Sequence, residues 1–107
     1  MLVERFATTS GLTASMALAS AFPPALTDEH EEIVGMALAA LAETGIQGAP
    51  RGFPAGCDMW AFSVKGIPTV VLGCGGVGQA HVIDEYVETG PLNQLVDVYE
   101  ALIRLTS

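Results

Sequence analysis

Positive charge is what this chain has least of. Four lysines and arginines stand against twelve aspartates and glutamates, a formal net charge of −8 over 107 residues. Nucleic-acid binding rests on neutralising phosphates, so this balance excludes it. Cysteine is scarce as well. Cys57 and Cys74 are too far apart for a metal-ligand pair, and they read as free thiols of a reducing compartment. No apolar run reaches bilayer length before a polar residue or Pro23-Pro24 interrupts it. An export signal is also poorly served. Met1–Arg5 carries one acid and one base, and the weakly apolar stretch 11–21 contains Thr13, Ser15 and Ser20, although Ala19-Ser20-Ala21 resembles a cleavage site. These absences together predict a cytoplasmic protein with neither a membrane nor a nucleic acid as partner.

Apolar residues, by contrast, are plentiful. They make up 50% of the chain, but aromatics contribute only 7%, which favours thin, alanine-packed layers over a bulky core. Thr13 to Phe22 reads as a strand or a small-residue helix, ended by Pro23-Pro24. Thr27 suits an N-cap for a helix with Ile33, Val34, Ala37, Leu38 and Leu41 on one face and Gly45 at its end. Asp28, Glu29, Glu31 and Glu32 complement that helix start, a metal-binding cluster being the sharper alternative, and His30 among them reads as solvent-facing.

Residues 46–57, rich in glycine and proline, read as loop, and Asp58 to Lys65 as a short helix stopped by Gly66. Ile67 to Leu72 is a β-branched apolar run suited to a strand buried on both faces. A last helix is expected from Pro91 to about Leu105. The expected class is therefore α/β, a partial layered unit. One clear strand cannot make a sheet, so either a partner copy or the rest of a longer chain is missing, and its unshielded apolar surface predicts a homo-oligomer.

The stretch from Thr69 to His81 can be read in two ways. Gly73, Gly75 and Gly78 have the Gly-x-Gly-x-x-Gly spacing of a dinucleotide turn. That turn works only inside a strand–turn–helix–strand unit with an acid about 20 positions on. Thr89-Gly90-Pro91 interrupts the helix, and Asp97 lies in a segment with apolar residues at 92, 95, 96, 99, 102 and 103, which is helical spacing. The second strand is missing, and with it the nucleotide reading. The other reading has the glycine loop present one histidine, His81, to a metal. Neutral imidazole is a normal zinc donor, and Glu85 or Asp84 stands close enough in sequence to orient it.

Three segments in order carry a family resemblance: Gly52-Phe-Pro-Ala-Gly-Cys-Asp58, then Gly66-Ile-Pro-Thr-Val-Val-Leu-Gly-Cys-Gly-Gly-Val-Gly-Gln-Ala-His81-Val-Ile-Asp-Glu85-Tyr-Val, then a closing amphipathic helix. Together they resemble the C-terminal part of metallopeptidase family 20. These are two-zinc amidohydrolases such as aminoacylases, acetylornithine and succinyl-diaminopimelate deacylases, and glutamate carboxypeptidases. The resemblance covers residues 23–105 and implies the C-terminal segment of a zinc-peptidase-like catalytic domain. Residues 1–22 more faintly resemble the last strand of the family's lid, or dimerisation, domain.

By that resemblance His81 is a zinc ligand, with Glu85 and Asp84 behind it. Asp58 lies near the site without binding metal, and Gly73, Gly75, Gly76 and Gly78 line the substrate end, where backbone N–H groups can meet a carboxylate. Asp58 serves equally as a helix N-cap. Cys57 stands where the family has threonine, Cys74 where it has proline, and Val82-Ile83 where it has Thr-Pro. The family's other ligands and its glutamate general base belong to a region upstream of this segment. Hydrolytic zinc takes about three protein ligands, so the chain is expected to have no catalytic residue of its own. The function implied is that of a C-terminal fragment of a hydrolase of N-acyl amino acids or small peptides, inactive alone. The alternative is a stand-alone binding or structural module derived from it.

Overall fold

Ile33, Val34, Ala37, Leu38 and Leu41 fall three or four residues apart, a spacing that gives a helix one apolar stripe. The structure, a computed structural model, describes residues 2–107, and all side chains among them except those of Leu2 and Phe6. Its elements in chain order are helix α1 (Leu2–Ser10), α2 (Glu32–Glu43), α3 (Met59–Ser63), a 3-10 turn (Val77–Gln79) and helix α4 (Thr89–Leu105). α2 turns Val34, Ala37 and Ala40 inward, and α4 turns Val98 and Ala101. Among the described residues these are the only two elements that pack on each other. Ala40, Val98 and Ala101 are fully buried between them, with Leu41, Ile46, Leu72 and Leu102 closing the sides. Arg104 on α4 reaches Glu43 on α2 at 2.7 Å. Both side chains are about half exposed, so the pair adds at most about 1 kcal/mol.

The helix ends obey their glycines. Gly45 takes φ +77°, its N–H donates to the Ala42 carbonyl, and the next N–H, of Ile46, donates to Leu41. This left-handed stop satisfies the last carbonyls and folds Ile46 back onto the core beside Leu41. Gly66, at φ +70°, repeats the arrangement after α3, with Gly66 N–H to Ser63 and Ile67 N–H to Phe62.

The expected α/β layering is not found: the described residues form helices and segments without regular structure and contain no strand. Residues 67–74 take no regular secondary structure, because no second segment lies alongside to exchange backbone hydrogen bonds with the β-branched run. Beyond Ile67, whose N–H goes to Phe62, their partners are side chains. The Thr27 hydroxyl donates to the Thr69 carbonyl at 2.6 Å and accepts from the Thr69 N–H at 3.1 Å. The Tyr99 hydroxyl donates to the Leu72 carbonyl at 3.0 Å. Burial on both faces also fails. Val70 and Leu72 are half-buried against the helices, whereas Ile67 and Val71 are exposed.

Three smaller expectations change too. Thr27 does not cap α2. Glu31 holds that position, and Asp28 makes the preceding turn by accepting the His30 N–H. α4 starts at Thr89, two residues before Pro91, because Pro91 within the first turn has no N–H to leave unpaired. Residues 12–22 are neither strand nor helix but an exposed arm without regular structure, tied at its end by a tilted Phe22–Trp60 ring pair with centroids 5.0 Å apart. With this arm the chain measures 61 × 37 × 20 Å, and its radius of gyration is 19.6 Å, against about 13 Å for a compact chain of this length.

Candidate functional site

The run 67–72 hands the chain from the core to the glycine loop. Leu72 is held in the α2–α4 contact and by Tyr99, and the backbone then turns at Gly75. There φ is +87°, and a Cβ would meet a Val87 methyl at 3.6 Å. Only glycine enters this conformation without strain. At Gly76 an added Cβ would lie 2.6 Å from the Gln79 side-chain oxygen, so the Gln79 amide lies over this glycine and would have to swing aside for a side chain there. The Gln79 N–H closes the turn onto the Gly76 carbonyl at 3.0 Å. The third glycine of the fingerprint, Gly78, sits inside a three-residue 3-10 turn, and no helix begins there. The feature that would receive a pyrophosphate is therefore missing.

His81 comes next, in the left-handed region at φ +60°, as does Asp84 at φ +62°. Left-handed backbone is costly for side-chain-bearing residues unless the surroundings enforce it, although histidine and aspartate tolerate it better than most. Glu85 supplies the enforcement. One of its carboxylate oxygens accepts the backbone N–H of His81 at 3.0 Å, a charge-assisted bond. The acidic partner expected to orient the imidazole thus holds the histidine by its backbone. His81 itself is exposed.

The other residues singled out in the sequence are spread over two concavities. Asp58 is exposed at the start of α3, where its side chain makes no capping bond. With half-buried Cys57 it lines an open apolar cleft of about 1040 Å³ between α2, the segment 22–29, the loop 48–60 and residues 69–72. Gly75 and Gly76 line a smaller hollow of about 210 Å³ with Gln79, Tyr86, Val87, Glu88 and Pro91. His81 lines neither. Cys57 and Cys74 are both free thiols. Two residues that position the loop, Thr27 and Tyr99, carry no such signal in the sequence. Thr27 has the place of a helix cap, and Tyr99 falls in the helical stripe as an ordinary apolar position.

The sequence profile of peptidase family M20/M25/M40 matches residues 4–105, nearly the whole chain. The chain belongs to this family. No curated protein and no solved structure matches it. The match includes the run from Gly73 to Glu85. Enzymes of the family generally use zinc, so the donors present have to be compared with what zinc needs. Among the described residues no three histidines, cysteines, aspartates or glutamates come together. The Glu85 oxygen nearest His81 is taken by a backbone N–H. The described residues do not bring together a zinc site by themselves. They also contain no helix long and apolar enough to cross a membrane.

Proposed function

We propose that this M20 chain is the C-terminal segment of a two-zinc metallohydrolase that cleaves amide bonds of N-acyl amino acids or small peptides when complete. Alone it is catalytically silent. The observation that carries the reading is the His81 turn. A family histidine stands exposed on a left-handed backbone and is held through its own N–H by Glu85, and no group of three such donors forms among the described residues. That suits a ligand presented outward, to a site whose other parts lie outside these residues. Asp84 and Glu85 shape the turn, Asp58 lies near the site, and Gly73, Gly75, Gly76 and Gly78 let backbone approach a substrate carboxylate. We place the chain in the cytoplasm, in keeping with its free thiols.

A second reading is favoured by the apolar cleft and the exposed arm. In it the chain is a binding or structural module that kept the family's sequence and lost its chemistry. One experiment separates the two. Residues 23–105 replace the corresponding segment of an active family member, and hydrolysis of an N-acetyl amino acid is measured with zinc supplied. The hydrolase reading expects the chimera to be active and His81→Ala to abolish that activity. A folded but inactive chimera, or one indifferent to His81→Ala, favours the module. Hydrolysis by the chain on its own would overturn both readings.

A further inference from the structure

Three polar side chains of the loop 73–88 stand without partners. Among the described residues, Gln79, Tyr86 and Glu88 make no side-chain hydrogen bond and no ion pair. All three line the small hollow of about 210 Å³ at the start of α4. Tyr86 and Glu88 are exposed and Gln79 is half-buried, so they face water or whatever displaces it. Gly75 and Gly76 line the same hollow and add no side chain to it. A Cβ at Gly76 would lie 2.6 Å from the Gln79 side-chain oxygen, so that oxygen occupies space a side chain would take.

Charge decides what kind of guest fits. Glu88 is the one charged residue lining the hollow, and no lysine, arginine or histidine does. The surrounding sequence has the same sign: between Lys65 and Arg104 stand Asp84, Glu85, Glu88, Asp97 and Glu100, with no lysine or arginine among them. An anion would be repelled here, and a cation attracted. A helix start favours anions through its free N–H groups, but those of Thr89 and Gly90 do not line the hollow, and Pro91, which does, has no N–H.

Size and hydrogen bonding narrow the guest further. At about 30 Å³ per water, the space holds about seven waters, room for a small molecule and not for a nucleotide. An alkylammonium group carries three donors and no acceptor. The hollow offers three side-chain acceptors to match: the Glu88 carboxylate, the Gln79 carbonyl oxygen and the Tyr86 hydroxyl. The Tyr86 ring adds an aromatic surface that attracts cations, and Val87 and Pro91 supply apolar walls for a short alkyl chain.

We propose that this hollow binds the ammonium group of a small primary amine. Glu88 is its counter-charge, the Gln79 and Tyr86 oxygens accept the remaining N–H bonds, and the alkyl chain lies against Val87 and Pro91. The proposal goes beyond the hydrolase reading and does not rest on it, since His81 lies outside the hollow and no metal takes part.

The test titrates n-butylammonium chloride into the full chain at constant ionic strength and follows backbone amide shifts by nuclear magnetic resonance. A saturable shift is expected at residues 75, 76, 79 and 86–88, with a Kd on the order of 1 mM, since five non-hydrogen atoms bring limited affinity. n-Butanol, with the same chain and no charge, is expected to give no saturable shift. Glu88 makes no capping bond to α4, so Glu88→Gln spares the helix and is expected to weaken binding about threefold. Tyr86→Leu is expected to weaken it about twofold. Asp97→Asn removes the same charge from α4 outside the hollow and is expected to leave the Kd unchanged. The spectrum of each variant checks that it is folded, and the butanol comparison on the unmodified chain needs no variant. The absence of a saturable shift would overturn the proposal, as would butanol binding as tightly as butylammonium. So would equal weakening by Glu88→Gln and Asp97→Asn, or shifts centred on the acidic residues 28–32.

Discussion

Removing two carbons from Val98 tests whether the α2–α4 contact is the core of this molecule. Val98 is the largest side chain with no exposed surface, and its fully buried neighbours Ala40 and Ala101 offer only single methyl groups to refill the space. At about 0.8 kcal/mol per buried carbon, Val98→Ala loses about 1.6 kcal/mol of transfer free energy. The residual cavity adds several tenths more, since alanines cannot reach across it. Alanine returns up to about 0.7 kcal/mol in helix propensity relative to valine. The net expectation is a loss of about 1–1.5 kcal/mol, a fall of roughly 5–10 °C in Tm for a domain of this size. Ile103→Ala is the control on the same helix. Ile103 is 65% exposed, so its truncation should stay within about 0.5 kcal/mol of the parent. Urea and thermal unfolding monitored by far-ultraviolet circular dichroism measure both, at one fixed protein concentration because association shifts apparent stability. If Val98→Ala falls within about 0.5 kcal/mol of the parent, or Ile103→Ala costs as much, the contact between α2 and α4 is not what holds the fold.

Thr27→Val keeps the shape of the side chain but leaves the half-buried Thr69 N–H without its acceptor. It is expected to cost about 1 kcal/mol in urea unfolding, with Thr27→Ser restoring most of it; equal losses in both variants would mean that the methyl, not the hydroxyl, matters. Calorimetric titration of the full chain with zinc is expected to give a Kd no tighter than micromolar, about −8 kcal/mol, because the described residues offer no group of three donors. Stoichiometric nanomolar binding would reveal a ligand set assembled some other way. NAD or ATP is expected to leave the Tm unchanged. Binding at ~100 times the Kd would stabilise by about 2.7 kcal/mol, so a saturable shift would restore the nucleotide reading of the glycine loop.

The helices that carry their own stop signals are legible in the sequence. α2 can be read from its apolar spacing and Gly45, α3 from Gly66, and α4 from the recurrence through Leu102 and Ile103. In each the determinant is local: a glycine that accepts left-handed backbone, or side chains three and four residues apart. α1 is less legible, although it too is explicable. The Thr8 and Thr9 hydroxyls bond back to the carbonyls of Glu4 and Arg5 within the helix, which accommodates two residues that usually disfavour it. The expected strand fails for a different reason. A β-branched run favours an extended segment, but pairing is a property of two segments. At Thr69 and Leu72 the segment meets hydroxyl groups where a neighbouring backbone would lie. Whether Thr27 caps its own helix or reaches across to Thr69, forty-two residues later, depends on the tertiary fold and not on its neighbours in sequence.

The site is legible in its residue types and hidden in its geometry, and the reason lies in how the loop is suspended. Residues 73–88 join Leu72, fixed in the core, to the first turn of α4, with one 3-10 turn between them. Connections of more than about 12–15 residues without regular structure are uncommon in small domains unless they carry function. This one is held by local devices: the bare turn at Gly75, the Gln79 amide over Gly76, and the Glu85 carboxylate on the His81 N–H. None of the three draws on the hydrophobic core. The α2–α4 contact can therefore change without moving His81 relative to Glu85, and the loop can change without unfolding the helices. The packed core and the His81 turn reside in separate parts of this chain. The part that presents the histidine is shaped by left-handed backbone at His81 and Asp84, a conformation that the identity of neither residue announces. The glycines in the sequence point to a turn, but it is the carboxylate on a backbone amide that makes that turn a holder for one exposed imidazole.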